Sequence, residues 1–186
     1  PYFEERSLEY GLDFQGLSTQ SSFFDYDLDG DLDMYLLNHS VHAPENYNSS
    51  EAREVQSPQG DKLFRNNEGR FVDVTREAGI YSSQIGFGLG LGVSDVNNDG
   101  YPDIYIGNDF HENDYLYLNN GDATFREVIK ESFGHTSQFS MGLDMADIDN
   151  DGLVDILSMD MMPEDERIKK SSVPSDSYDI YQFKHD

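Results

Sequence analysis

One nine-residue pattern occurs three times in this chain and leaves few folds open to it. The copies are Asp25-Tyr26-Asp27-Leu28-Asp29-Gly30-Asp31-Leu32-Asp33, Asp95-Val96-Asn97-Asn98-Asp99-Gly100-Tyr101-Pro102-Asp103 and Asp147-Ile148-Asp149-Asn150-Asp151-Gly152-Leu153-Val154-Asp155. Oxygen side chains stand at positions 1, 3 and 5, a Gly at 6 permits a sharp turn, and a carboxylate closes the run at 9. A hard cation such as calcium takes about 6–8 oxygens in flexible geometry, and this spacing can supply them. Position 7 is Asp31, Tyr101 and Leu153 in turn, so the ligand expected there is the backbone carbonyl, which does not depend on the side chain. The competing reading is that these are solvated acidic turns, since Asp and Gly are common in turns. Three copies that keep oxygen at 1, 3, 5 and 9 while varying at 7 favour about three bound Ca2+ ions. With Asn97 in place of a carboxylate, the second loop is expected to be the weakest site if charge governs affinity.

Helix-flanked calcium loops end on a bidentate Glu at position 12, but here that position holds Leu36, Ile106 and Ser158. The flanks read as strands instead. Ser21 to Phe24 precedes the first loop, and Met34-Tyr35-Leu36-Leu37-Asn38 follows it; Ile104 to Asn108 and Ile156 to Asp160 match it in the later copies. Each loop therefore joins the two strands of a hairpin.

A second block recurs downstream of the loop. Leu63-Phe64-Arg65-Asn66-Asn67-Glu68-Gly69-Arg70-Phe71 is similar to Leu116-Tyr117-Leu118-Asn119-Asn120-Gly121-Asp122-Ala123-Thr124-Phe125, each a strand, an Asn/Gly turn and a strand beginning at Phe. One unit is thus strand, loop, strand, strand, turn, strand, which is one blade of an all-β propeller of four antiparallel strands. Asp95 and Asp147 lie 52 residues apart and Asp25 and Asp95 lie 70 apart. The excess is placed in an inserted polar loop, residues 39–60, with Pro44 and Pro58. In Gly86-Phe87-Gly88-Leu89-Gly90-Leu91-Gly92-Val93-Ser94 the alternating glycines predict the innermost strand of a blade, where backbones crowd. A phosphate-binding loop is excluded there, because an acidic loop follows instead of a helix N-terminus.

The formal charge of −25 argues against nucleic acid or an anionic membrane as partner. Twelve of the carboxylates stand in the three loops, so bound calcium would relieve much of their repulsion. No cysteine is present, and with neither disulfide nor thiolate site to read, the compartment follows from the metal. Loops of extracellular modules bind calcium at about 10⁻⁴–10⁻³ M, a concentration found outside cells. A secreted, extracellular or outer cell-surface location is expected. No apolar run is long enough for a transmembrane helix, and the start at Pro1 reads as a mature or excised fragment of something longer.

Asp109, His111, Glu112 and Asp114 crowd one loop, and a carboxylate beside a His can perform acid/base chemistry; no nucleophile accompanies them, and a solvated loop is the simpler reading. Asn38-His39-Ser40 and Asn48-Ser49-Ser50 fit a glycosylation pattern, with an unmodified loop preferred. Tyr115 and Tyr117 are candidates for a glycan surface, with strand core their expected place. Residues 166–186 read as a polar tail or linker, with a short helix at 164–170 just before and into it.

Together the triple loop, the Asn-Asn-turn-Phe block, Asp73-Val74-Thr75 and Ala78-Gly79-Ile80 resemble FG-GAP repeats, also called VCBS repeats, of the integrin α-chain type of propeller, and more closely bacterial relatives of the cartilage acidic protein family. The chain departs from that pattern in having no Gly-Ala-Pro triplet after Gly86-Phe87-Gly88, and Ala123 where such turns carry Gly. The resemblance implies a seven-bladed propeller, of which about three blades are visible at approximately 14–80, 81–133 and 134–165. It implies calcium in the loop between the first two strands of a blade, and a non-enzymatic role in adhesion, recognition or assembly toward a protein or glycan ligand or neighbouring blades. The alternatives are an accessory or catalytic propeller of a polysaccharide-processing enzyme, or a structural subunit of a surface complex.

Overall fold

A computed structural model describes residues 2–40, 52–110 and 112–161. A short helix, α1 (Ser7–Tyr10), is followed by β1 (Ser18–Phe24), β2 (Asp33–Asn38), β3 (Lys62–Asn67) and β4 (Arg70–Asp73), and these strands form one antiparallel sheet in chain order. The second repeat repeats the plan with β5 (Gly88–Ser94), β6 (Asp103–Asn108), β7 (Tyr115–Asn119) and β8 (Phe125–Glu127), after which comes α2 (Ile129–Ser132). The third contributes the hairpin of β9 (Ser140–Ala146) and β10 (Asp155–Asp160). The expected all-β, four-stranded units are therefore present twice in full, with the first two strands of a third. Among the described residues no helix is long and apolar enough to cross a membrane.

Each hairpin is bulged at the same place. Thr19, Leu89 and Met141 are the extra residues, each the second residue of the first strand of its repeat. A bulge there increases the local twist where strands of different repeats converge. The crowding that the glycines predicted is found at these strands. A Cβ on Gly90 would lie 2.7 Å from Leu143 Cβ, one on Gly88 would strike Leu37, and one on Gly92 would strike Met145. Thr19 donates its hydroxyl to the Gly88 carbonyl at 2.8 Å, and Gln20 Oε1 accepts from the Leu91 amide at 3.2 Å, so β5 approaches β1 of the first repeat as well as β9 of the third.

The middle sheet is covered on both faces. Because strand side chains alternate, Ile104 and Ile106 of β6 and Tyr115 and Tyr117 of β7 pack with Tyr35, Leu37 and Leu63 of the first sheet, whereas Tyr105 and Leu116 face Leu143, Met145 and Ile156 of the third. All six residues of β6 are buried. The core place of Tyr115 and Tyr117 removes them from any glycan surface. Asn38 is buried too, and its amide donates to the Gly60 carbonyl at 2.7 Å, so it is not free to carry a sugar. Asn48, His111 and residues 164–186 lie outside the described residues.

The inserted segment is less independent than its composition implies. Its described end is docked: Ala52 packs on Ile85 and Phe87, Gln56 Nε2 donates to the Ile80 carbonyl, and Arg53 Nε pairs with the buried Glu112 carboxylate at 3.1 Å.

Candidate metal centre

Each acidic loop is wound by its own side chains. In the first, Asp25 Oδ1 and Oδ2 accept the amides of Asp29 and Gly30 at 3.1 and 3.0 Å, and Asp29 Oδ1 accepts the Asp31 amide. Asp95 and Asp99 make the matching bonds in the second loop, Asp147 and Asp151 in the third. The backbone turns left-handed at position 6, where Gly30, Gly100 and Gly152 have φ of 97°, 91° and 86°, and also at position 4, at Leu28, Asn98 and Asn150. Gly meets the first requirement without strain and Asn tolerates the second; Leu28 does not suit it.

This winding gathers the side chains at positions 1, 3 and 5. Asp25, Asp27 and Asp29 each offer an oxygen, all within 4.8 Å of one another, and Asp147, Asp149 and Asp151 do the same. The second loop brings Asp95 and Asp99 around Asn97, whose Nδ2 donates to Asp99 Oδ2 at 2.9 Å. Burial, followed by the neighbouring Asp29 charge, raises the pKa of Asp27 and of Asp31. Asp27 Oδ1 and Asp31 Oδ1 are buried without a hydrogen-bond partner. Buried oxygens of this kind are normally satisfied, and a cation is a partner suited to them. Asp31 was expected to contribute only its carbonyl; its carboxylate also faces the first loop. At Tyr101 and Leu153 the amides are held by position 5.

Position 9 has a second employment. Asp33, fully buried, accepts the Tyr26 amide on Oδ2 at 3.1 Å and the Asn66 amide on Oδ1 at 2.8 Å. Asp103 repeats this with Val96 and Asn119 at 2.9 and 2.8 Å, and Asp155 Oδ2 accepts the Ile148 amide at 3.0 Å. Burial pushes Asp33 up to about 6 against the pull of these amides and raises Asp103 likewise. A carboxylate has about four lone-pair sites, so two backbone donors still leave room for a cation.

The cluster considered for catalysis separates into structural parts. Asp114 accepts the Tyr105 hydroxyl and the Asn108 amide, both at 2.8 Å. Asp61 accepts the Tyr35 hydroxyl at 2.9 Å and the Asn38 amide at 2.8 Å in the first repeat, where no His or Glu adjoins it. The arrangement is a lock between the second and third strands of both four-stranded units. Its signal in the sequence is a Tyr and an Asn three apart, at 35 and 38 and again at 105 and 108, each followed by an Asp immediately before the next strand. Glu112 is occupied by Arg53, and Asp109 is buried with its Oδ1 on the Phe110 amide.

A search of curated proteins finds no match to the chain. A family model described as FG-GAP-like repeat matches residues 25–106 and 95–158, and both stretches open on the first Asp of an acidic loop. With its paired four-stranded sheets and recurring loops, the chain belongs to the FG-GAP-like repeat family.

Proposed function

We propose that this segment binds calcium at its three acidic loops and serves as a non-enzymatic propeller surface for adhesion, recognition or assembly in a secreted or cell-surface protein. The observation that carries the reading is the convergence of Asp25, Asp27 and Asp29, with the unpartnered oxygens of Asp27 and Asp31 beside them. Asp147, Asp149 and Asp151 support it at the third loop, and Asp95, Asn97 and Asp99 at the second. The residues present suit a hard, oxygen-seeking cation, which would neutralise carboxylates that otherwise repel one another. Its role is structural, since each loop ties the two strands of one hairpin.

The test is a calorimetric calcium titration of the metal-free chain. About three sites are expected, with dissociation constants of about 10⁻⁴–10⁻³ M. Asp27→Asn with Asp31→Asn should abolish one of them by removing two of its charges and leave the fold intact, since neither Oδ1 has a hydrogen-bond partner to lose. Absence of both binding heat and bound metal would overturn the proposal.

A further inference from the structure

Resting on that calcium reading, we infer that Asn119 couples the first acidic loop to the second, so that filling one strengthens binding at the other. Asn119 is buried and makes bonds to both loops. Its Nδ2 donates to the Tyr26 carbonyl at 2.8 Å and to the Pro102 carbonyl at 3.2 Å, and its backbone amide donates to Asp103 Oδ1 at 2.8 Å. Tyr26 stands between the candidate ligands Asp25 and Asp27, and its carbonyl belongs to the peptide that leads into Asp27. Pro102 and Asp103 close the second loop. One residue thus holds the second position of one loop and the last two of the next, Tyr26 and Pro102 through its side chain and Asp103 through its backbone amide.

Tyr26 is anchored at its amide and its ring, which leaves its carbonyl as the part that a cation between Asp25 and Asp27 would position. Its amide is held by Asp33, and its ring stacks on Phe125 at 5.9 Å. A cation that draws Asp25 and Asp27 together fixes the Tyr26 carbonyl between them. The fixed carbonyl orients the Asn119 amide, and Asn119 in turn sets Pro102 and Asp103 before the second loop is filled. Ordering completed by the first ion need not be repeated for the second, which is positive cooperativity.

The chain contains its own control. Asn66 occupies the same place in the first repeat and makes the same local bonds: its amide donates to Asp33 Oδ1, its Nδ2 donates to the Leu32 carbonyl at 3.2 Å, and its Oδ1 accepts the Gly69 amide. Among the described residues it has no bond to another repeat's loop. Asn119 differs from it by the bond to Tyr26, across 93 residues.

The two loops can be followed separately in one calcium titration by nuclear magnetic resonance, because the Gly30 and Gly100 amides donate to the carboxylates of Asp25 and Asp95. Asp27→Asn with Asp31→Asn, which disables the first loop, should weaken calcium binding at the second by about tenfold, within the 5–150-fold usual for coupled sites. In an Asn119→Ala background the same pair of changes should have no further effect on the second loop, whereas in an Asn66→Ala background the tenfold dependence should persist. An affinity at the second loop indifferent to the first, or a dependence that survives Asn119→Ala, would overturn the inference while leaving calcium binding intact. Calcium shifting neither amide would instead remove the calcium reading on which it rests.

Discussion

Asp103→Ala is expected to lower thermal stability in chelator as well as in calcium, whereas Asp27→Ala is expected to act in calcium alone. Asp103 is fully buried and accepts two backbone amides, those of Val96 and Asn119. Truncation leaves both donors without a partner, at about 1–3 kcal/mol each. Against a typical fold stability of about 5–15 kcal/mol, the loss should lower Tm by on the order of 10 °C. Asp27 Oδ1 has no hydrogen-bond partner, and the Asp29 amide that its carboxylate accepts is also held by Asp25 Oδ1, so without metal it contributes little beyond repulsion of Asp25 and Asp29. Paired melts of the two variants, with calcium and with chelator, check the distinction. A loss at Asp103 that vanishes in chelator would mean that the residue acts as a ligand and not as a strand lock.

In chelator, stability is expected to fall as pH rises from about 4 to about 7. Asp61 is buried at a place where desolvation outweighs the Tyr35 hydroxyl, the Asn38 amide and the Lys62 charge, and its pKa is pushed up to about 7. Desolvation likewise pushes Asp114 up to about 6, with Asp160 adding to the rise. An unfolded Asp releases its proton near 3.9. The folded chain therefore binds more protons than the unfolded chain between the two values, and the stability this contributes is complete below about 4 and lost as pH passes through the folded pKa. At about 1.4 kcal/mol per pKa unit, Asp61 alone accounts for about 4 kcal/mol. Asp61→Asn should flatten the dependence, since the Asn amide can donate to the Tyr35 hydroxyl while its carbonyl accepts the Asn38 amide. Denaturant midpoints measured across this range provide the check, and stability that rises with pH in chelator would contradict it.

These two results concern features of different visibility in the sequence. The acidic loops, the hairpins around them and the crowding at Gly88, Gly90 and Gly92 were legible because each depends on residues a few positions apart, and because three copies separate what is required from what varies. The double duty of Asp33 and Asp103 was not. Their second donors, Asn66 and Asn119, come from another strand 33 and 16 residues onward, and spacing within a loop says nothing of it. The lock of Tyr35 on Asp61 spans the inserted segment, 26 residues, and hid in an irregular repeat length. Leu28 obscured the left-handed turn at position 4, which Asn98 and Asn150 signal on their own. The cluster at Asp109 to Asp114 was suggestive only as a sequence of polar residues; once Tyr105 and Arg53 are seen to occupy Asp114 and Glu112, its carboxylates have structural partners.

The measurement that tests the central claim most directly is the thermal melt of the whole chain in about 10 mM calcium and in excess chelator, paired with metal analysis. With a dissociation constant of about 10⁻⁴ M, each filled site adds about 2.7 kcal/mol, and three together should raise Tm by on the order of 15 °C or more, with about three ions bound per chain. Identical melts in the two solutions, with no metal retained, would contradict the account and leave the acidic loops as turns alone.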